Sequence, residues 1–271
     1  MTSQGSVLEF SEVTIKFGGV TAVNDVSFSV RQGDIHAVIG PNGAGKTTLF
    51  NALSGIVTIQ SGNILLEGES ITGLPSHAIA SRGIGRTFQN LALCGEMSVQ
   101  ENLLLGRYVK GSVGWLATAF GLPIAVREGR AARKHVVEVA ELLGVAPLLQ
   151  RPASELNYGD RKRVELARAL CMEPAVLLLD EPVAGMNQTE TAIMTSTLLT
   201  LGKDFAVTVL LVEHDMAMVM ECSDQITVIN HGSVIADGPP QEIQRNPLVI
   251  DAYLGVDESS VHMARDEEEQ A

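Results

Sequence analysis

Apolar and polar residues alternate near the start of the chain and give way to continuous apolar runs further along. The segments 7–17 and 23–30 alternate strictly enough to predict two half-buried strands, with Gly18-Gly19 as the turn between them. The segment 62–71 predicts a further, exposed strand. Three later runs are almost continuously apolar, the pattern of strands buried on both faces; they are 34–40, 175–182 and 207–215.

Helical spacing replaces the strand pattern from about residue 91 to residue 163, as in the stretch 130–145. A second helical stretch, 189–203, separates two of the buried runs, and 225–238 predicts a hairpin with His231-Gly232 at its turn. Strands that alternate with helices predict a mainly parallel α/β sheet. The block of about 91–163 is then predicted to be a helical subdomain inserted into it.

A glycine-rich segment, "GPNGAGKT" at 40–47, follows the first buried run and precedes a helical pattern. It matches the Walker A motif, in which glycines let the backbone wrap around phosphate oxygens. Lys46 can reach the terminal phosphates, and the Thr47 hydroxyl can bind Mg²⁺. A chance glycine-rich turn is the alternative, but the strand before the motif and the helix after it favour a phosphate site. The residues predicted to bind the nucleotide here are Gly40, Pro41, Asn42, Gly43, Ala44, Gly45, Lys46, Thr47 and Thr48.

Two adjacent acids, Asp180 and Glu181, end the second buried run. Ligands bind at the carboxyl ends of strands in open α/β sheets, so both side chains are predicted to face a crevice rather than bulk solvent. Asp180 can hold Mg²⁺ through its water shell, and Glu181 can orient or deprotonate a water molecule.

The segment "LNYGDRKRVELARAL" at 156–170 predicts a helix that Asn157 can cap. Gly159 in the first turn costs helix stability, yet free backbone N–H groups at this end can hold an anion. The basic run 161–163 can make the site electropositive or can simply be a solvated face. The purpose of Gly159 is open on these residues alone.

Composition excludes some classes of protein. The net charge is −13, from 19 Lys and Arg against 32 Asp and Glu, which argues against a duplex-binding surface. The segment 256–271 is strongly acidic and is predicted to be a disordered tail. Three widely spaced cysteines favour small buried side chains in a reducing compartment over a disulfide framework or a zinc site. The start of the chain has no signal-peptide pattern, and the longest apolar stretch, 113–126, is too short to span a bilayer.

Taken in order, the motifs resemble the nucleotide-binding subunit of an ATP-binding cassette (ABC) transporter, over about residues 8–255. The matching elements are Phe17 at the adenine-stacking position, 40–48 as Walker A, Gln89 as the Q-loop glutamine, 156–160 as the signature motif, 177–182 as Walker B with the catalytic glutamate, 183–187 as the D-loop and His214 as the switch histidine. The resemblance implies the P-loop NTPase fold of ABC ATPases: a mainly parallel sheet core, an N-terminal antiparallel β subdomain and an inserted helical subdomain. One domain, 1–255, is expected, followed by the tail.

The resemblance also implies a role for each site residue, with ATP and Mg²⁺ as ligands. Lys46 contacts the terminal phosphates, Glu181 acts as the base, and His214 senses the γ-phosphate. Gln89 reports metal occupancy to the helical subdomain. The metal is held by Thr47, Gln89 and Asp180, and the adenine by Phe17. Asn157 and Gly159 contact the γ-phosphate of ATP that a second subunit holds in a head-to-tail dimer.

Several strings narrow the resemblance to the ATP-binding subunits of branched-chain amino acid uptake systems; they are "FGGVTAVNDVSF", "GIGRTFQN", "EMSVQENLLLG", "VEHDM" and "AYLG". Two positions depart from the wider family. Asn157 replaces the usual signature serine, and Asn187 replaces the aspartate that usually ends the D-loop. Both departures are expected to affect ATP hydrolysis at the site shared by two subunits more than the geometry of ATP binding.

The implied partners are a second ABC ATPase subunit, either a copy or a paralogue, two membrane permease subunits and, indirectly, a substrate-binding protein, with no nucleic acid. The implied location is the cytoplasmic face of the inner membrane, as a peripheral subunit. Importers of urea, amides or aromatic acids share many of the same strings and stay open as alternatives, as does a cytosolic cassette ATPase that serves iron–sulfur cluster assembly. Cassette ATPases of DNA repair or translation are disfavoured by the single Walker A motif and the acidic balance.

Overall fold

The computed structural model describes residues 5–87, 93–107 and 123–253. Within the chain, contacts define two compact units: Met1–Ser76 with Leu201–Ala271, and His77–Thr200. The strands are β1 (Ser6–Phe17), β2 (Val20–Arg31), β3 (Ile35–Ile39), β4 (Ser61–Leu66), β5 (Glu69–Ser70), β6 (Ile84–Arg86), β7 (Val176–Asp180), β8 (Val209–Val212), β9 (Gln225–Asn230) and β10 (Ser233–Gly238). The helices are α1 (Lys46–Leu53), α2 (Ser76–Ser81), α3 (Val99–Arg107), α4 (Pro123–Leu142), α5 (Tyr158–Leu170), α6 (Gln188–Phe205), α7 (Met216–Cys222) and α8 (Pro240–Ile243), with 3-10 turns at Ala146–Leu148 and Ala153–Glu155.

An antiparallel sheet in the first unit has the strand order β2-β1-β4-β5. The strands β1 and β2 form the predicted hairpin, and Phe10 of β1 stacks on Phe28 of β2 with ring centroids 4.4 Å apart. The predicted strand 62–71 is two strands, β4 and β5. It is also less exposed than expected, because Ile64 and Leu66 are buried against β1. The antiparallel β subdomain expected near the start of the chain is confirmed.

A second sheet of the first unit surrounds β3, every residue of which is buried. Strand β3 pairs in parallel with β8 on one side and with β9 on the other, and β10 returns antiparallel to β9. The β9–β10 turn holds His231 at φ 47° and Gly232 at φ 81°. Two successive positive φ angles fit the tight hairpin turn predicted there. The mainly parallel character expected of the core is confirmed in this unit.

The second unit contains the parallel pair β6 and β7. Strand β7 is buried along its whole length, as its continuous apolar run predicts. Strand β6 was not predicted, because a three-residue segment with a glycine and an arginine carries no strand pattern. Helices α3 and α5 approach closely at Gly106, where a Cβ atom would lie 2.1 Å from the carbonyl oxygen of Arg168. Among the described residues, no helix is both long enough and apolar enough to cross a bilayer.

Candidate functional site

The loop between β3 and α1 can be built only with glycine at its two ends. Gly40 has φ 152°, and a Cβ atom there would lie 1.9 Å from the carbonyl oxygen of Ile229. Gly45 has φ 107°, and its Cβ would lie 2.5 Å from the carbonyl oxygen of Ala22. Both contacts are with backbone, which cannot move aside easily. The loop is therefore pressed against its own unit on one side, with Asn42 and Gly43 exposed on the other.

Lys46 closes this loop with its own side chain. The Nζ atom donates to the carbonyl oxygens of Gly40 at 2.6 Å and Pro41 at 2.9 Å, so the ammonium lies inside the curve of the loop. Thr47 follows it and is exposed on the first turn of α1. That turn contains no acidic residue, and Gly45 at the N-cap provides no side-chain acceptor for the backbone N–H groups. An ammonium beside uncapped N–H groups at a helix N-terminus is an arrangement that favours a phosphate.

The β9–β10 turn supports the loop from behind. Gly232 donates its N–H to the carbonyl oxygen of Ala44 at 3.0 Å and accepts from the N–H of Asn24 at 2.8 Å. A further neighbour is Tyr253, whose pKa burial raises to about 12, with the backbone N–H of Gly40 acting in the opposite direction. Sequence reasoning found neither support, because the segments lie far apart along the chain.

Phe17 lies at the end of β1 and is 52% exposed. It pairs with Val20 across the hairpin, and Val20 is 68% exposed. Two apolar side chains exposed side by side do not belong to the core. The role of Phe17 in stacking on adenine stays a prediction.

Asp180 at the end of β7 is 1% exposed, and its two carboxylate oxygens lie in different environments. Oδ2 accepts from Nη2 of Arg86 at 3.0 Å, and Oδ1 is buried without a hydrogen-bond partner among the described residues. A buried acceptor without a donor costs free energy unless water or a metal-bound water fills the place. The carboxylate therefore fits the outer shell of a magnesium ion. Arg86 was not singled out from the sequence, since nothing in the pattern shows that β6 lies next to β7.

Glu181 follows Asp180 in an unusual backbone conformation, with φ 49°. A non-glycine residue in this region is strained by about 1–3 kcal/mol, and such residues are concentrated at functional sites. Its carbonyl oxygen accepts from the N–H of Ala184 at 3.2 Å, which begins the turn after β7. Gln89, the third predicted metal and catalytic residue of this unit, lies outside the described residues.

His214 lies in the first unit, two residues after β8, and its side chain is 66% exposed. The preceding Glu213 has a fully buried side chain whose Oε2 accepts from the backbone N–H of His214 at 2.9 Å and lies 3.7 Å from Nδ1 of the same residue. Asp215 then caps α7 through the N–H of Met218 at 3.0 Å. The backbone at His214 is thus held by a buried carboxylate and lies just before a capped helix, and the sequence did not reveal this contact of Glu213.

The N-terminus of α5 is capped as predicted, since Oδ1 of Asn157 accepts from the N–H of Asp160 at 2.8 Å. Gly159 lies against Glu190 of α6, whose Oε1 would be 2.7 Å from a Cβ atom at Gly159. These residues line an open cavity of about 140 Å³ together with Met186. Two acids therefore lie beside the proposed anion site, which the sequence did not reveal.

The three basic residues of α5 have partners within their own unit. Arg161 donates to the carbonyl oxygens of Leu156 and Ser154, and Arg163 pairs with Asp160. Lys162 is buried, with its Nζ 5.9 Å from the centre of the Tyr158 ring. The interpretation of 161–163 as a solvated face is therefore wrong for Lys162, while Arg161 and Arg163 are half-buried.

Comparison with known families gives two matches. The ABC transporter family matches residues 23–184, and the branched-chain amino acid ATP-binding cassette transporter family matches residues 233–259. The first match spans the P-loop, the 156–160 turn and both acids after β7. The second covers β10, α8 and the segment beyond.

Relatives match over almost the whole chain. The high-affinity branched-chain amino acid transport ATP-binding protein BraF of Pseudomonas aeruginosa is 45% identical over 92% of this chain and 98% of its own. LivG of Escherichia coli, with the same description, is 41% identical over the same shares. A crystal structure of an ATP-binding cassette of an ABC transporter, in its ADP conformation, superposes with a TM-score of 0.80 at 31% identity, covering 93% of this chain and 99% of that one. The chain therefore belongs to the ABC transporter family, among the ATP-binding proteins of branched-chain amino acid transport.

Proposed function

We propose that this chain binds and hydrolyses ATP to power an importer of branched-chain amino acids. The observation that carries the proposal is the loop 40–47, where Gly40 and Gly45 allow the backbone to fold tightly and Lys46 lies within the curve. The named functions of the relatives at 41% and 45% identity support the substrate class. The family match at 233–259 favours branched-chain amino acids over urea, amides or aromatic acids.

The P-loop would hold the triphosphate of ATP. Lys46 would exchange its bonds to the Gly40 and Pro41 carbonyl oxygens for bonds to phosphate oxygens, and the N–H groups at the start of α1 would add their partial positive charge. Asn42, Gly43 and Thr47, which are predicted to contact phosphates, are exposed, and Phe17 offers an exposed ring for the adenine.

Magnesium would be held by the Thr47 hydroxyl, Gln89 and, through water, Oδ1 of Asp180. Bound there, the metal would supply positive charge opposite the β- and γ-phosphates. Arg86 already holds Oδ2 at 3.0 Å and fixes the orientation of the carboxylate, leaving Oδ1 as its buried acceptor.

Hydrolysis would use Glu181 as the base for the attacking water and His214 as the group that holds the γ-phosphate. The left-handed backbone of Glu181 turns the chain sharply at the end of β7, and the buried carboxylate of Glu213 orients the backbone of His214. Phosphoryl transfer depends mostly on such positioning, since the protein forms no covalent bond to the phosphate.

A second subunit would complete each site. Asn157 and Gly159 would close on ATP that the partner's P-loop holds, and the partner is either a second copy or a paralogue. The dimer would associate with two permease subunits at the cytoplasmic face of the membrane and, through them, act with a substrate-binding protein. ATP-driven closure and the opening that follows hydrolysis would switch the permeases between two states.

The test of this function is the substitution Glu181→Gln, which keeps the size of the side chain and removes the base. We expect ATP binding to be retained and turnover to fall about a hundredfold or more, because positioned acid–base catalysis contributes at least that much. Equilibrium binding of ATP and steady-state phosphate release measure the two effects. Glu141→Gln is the matched control, since Glu141 lies exposed on α4. Near-normal turnover in Glu181→Gln would remove Glu181 from the role.

The substrate class needs a separate measurement. Cells that lack this chain should lose ATP-dependent uptake of radiolabelled leucine, and the unmodified chain should restore it where Glu181→Gln does not. Retained leucine uptake together with lost urea or amide uptake would reassign the importer and leave the ATPase function intact.

A further inference from the structure

Tyr158 joins the N-terminus of α5 to the loop after β7. Its hydroxyl donates to the carbonyl oxygen of Ala184 at 2.9 Å. Its ring lies over Gly185, where an added Cβ atom would be 3.5 Å from the ring edge, an ordinary packing distance. The two segments are 26 residues apart along the chain, so the bond is a tertiary contact and not part of either turn.

The loop that receives this bond leads directly to Glu181. The N–H of Ala184 donates to the carbonyl oxygen of Glu181 at 3.2 Å, and the N–H of Met186 donates to that of Val183 at 3.0 Å. Residues 181–187 thus form two successive turns. The side chain of Tyr158, from outside the loop, bonds to their middle. Two hydrogen bonds in series therefore connect the first residue of α5 with the backbone of Glu181.

The far end of the same loop also lies against α5. Asn187 and Glu190 cap the start of α6 reciprocally, with each side chain accepting from the backbone N–H of the other at 3.1 and 3.0 Å. The capped Glu190 carboxylate lies against Gly159. The loop therefore contacts the N-terminus of α5 at its middle, through the Tyr158 hydroxyl, and at its end, through the Glu190 side chain.

We propose that the Tyr158 hydroxyl is a positioning group that couples two ATP sites through the loop 181–187. The inference rests on the proposed function, in which Glu181 acts on ATP held by its own subunit while the N-terminus of α5 closes on ATP held by the partner. A movement of α5 toward the partner's ATP is transmitted through Tyr158 and Ala184 to Glu181. Closure at one site thereby sets the position of the base at the other.

The substitution Tyr158→Phe tests this coupling, because it removes the hydroxyl and keeps the ring over Gly185. In the nucleotide-free protein we expect the amides of 183–187 to exchange with deuterium about two- to tenfold faster, the effect of losing one neutral hydrogen bond. We expect kcat for ATP to fall by about the same factor, with an unchanged dissociation constant for ATP. Ser196→Ala is the matched control, since Ser196 in α6 also donates its hydroxyl to a backbone carbonyl, that of Ile193 at 2.8 Å.

A mixed assembly of one Tyr158→Phe subunit and one unmodified subunit distinguishes coupling from local damage. Labelling each site with photo-reactive ATP and following its turnover should show slower hydrolysis at the P-loop of the Tyr158→Phe subunit, where the Glu181 of that subunit acts. Replacing Tyr158 with 4-aminophenylalanine, which retains an N–H donor at the ring end, should restore the hydrolysis rate at that site and the slow amide exchange. The rescue also separates the hydroxyl from any general loss of stability.

Three results would overturn the coupling. Unchanged exchange at 183–187 would show that the bond does not hold the loop, and faster exchange with unchanged kcat would make it only structural. Slower hydrolysis confined to the P-loop of the unmodified subunit, on which the altered α5 closes, would make Tyr158 part of that site alone. The exchange measurement needs no nucleotide, so it reports on the bond even if Glu181→Gln were to show that the proposed catalytic role is wrong.

Discussion

Two helix N-termini of this chain are predicted to meet phosphate, yet they differ in almost every local feature. At the start of α1 the N-cap is Gly45 in a left-handed conformation, the first turn has no acid, and Lys46 lies within the loop. At the start of α5 the N-cap is Asn157 in an extended conformation, and its side chain already accepts from an N–H of the first turn. Asp160 lies in that turn, and Glu190 lies against Gly159.

The difference shows which site can bind an anion unaided. The P-loop supplies a cation, glycine flexibility and uncapped N–H groups within one unit, so it can bind ATP in a single subunit. The α5 terminus is capped and has two acids nearby, so its own attraction for an anion is weak. In the proposed dimer it would contribute only when ATP held by the partner is brought to it, where the helix dipole and the Asn157 amide would act at short range.

The largest effect is expected from Lys46→Ala, which removes the cation of the P-loop, the site that can bind an anion unaided. Removing the ammonium should lower ATP affinity and reduce hydrolysis at least about a hundredfold, because a preorganised charge at a transferring phosphoryl group contributes that much. Isothermal titration with ATP and phosphate release measure the two effects. Lys134→Ala removes an exposed lysine of α4, with its side chain 81% exposed, and should change neither. Normal ATP binding by Lys46→Ala would show that the lysine does not distinguish the anion binding of the two helix N-termini.

The second largest effect is expected from Gly159→Asp at the N-terminus of α5. The new side chain would lie at the position where Cβ is 2.7 Å from Oε1 of Glu190, and it would add a third acid to the terminus of α5. We expect normal ATP binding by the isolated subunit, together with loss of ATP-driven dimerisation and of hydrolysis. Sedimentation in the presence of ATP measures the dimer.

Controls for Gly159→Asp separate its charge from its size. In Gly159→Ala the added methyl group meets the Glu190 side chain but adds no charge, so activity should be partly retained. In a mixed assembly, Gly159→Asp should stop hydrolysis at the P-loop of the unmodified subunit. Loss confined to the P-loop of the mutated subunit would show that α5 serves its own chain.

A smaller effect is expected from Asn157→Ala, which removes the cap of α5. The variant loses the acceptor for the N–H of Asp160, and the free energy of unfolding should fall by about 1 kcal/mol, the usual contribution of an N-cap. Urea denaturation measures this loss, and ATP binding to the isolated subunit should not change. Asn157→Ser is the control, since serine caps equally well and is the usual signature residue. If serine failed to restore stability, the cap would not be the role of Asn157.

The sequence predicted the P-loop and the buried strands because both are specified by residues that are adjacent along the chain. A glycine-rich turn between an apolar run and a helix specifies its own geometry, and five consecutive buried residues in β3 and β7 appear directly as apolar runs. The surroundings of α5 could not be predicted in this way. Glu190 reaches Gly159, and Tyr158 reaches Ala184, through packing between segments that no pattern along the chain connects. The same holds for Arg86, whose bond to Asp180 depends on the pairing of β6 with β7.

The smallest effect is expected from removing the acidic end of the chain. The segment from Asp257 onward carries six acids and one base, with neither a motif nor an apolar period. Deleting 257–271 should therefore leave ATP binding and hydrolysis close to normal. The family match extends to residue 259, so a second deletion, of 260–271, distinguishes the matched residues from the rest. Activity lost only in the longer deletion would assign the effect to 257–259. Both deletions should be measured with the permeases present. If both lost activity, the charged end would be a regulator of hydrolysis, in addition to the two helix termini.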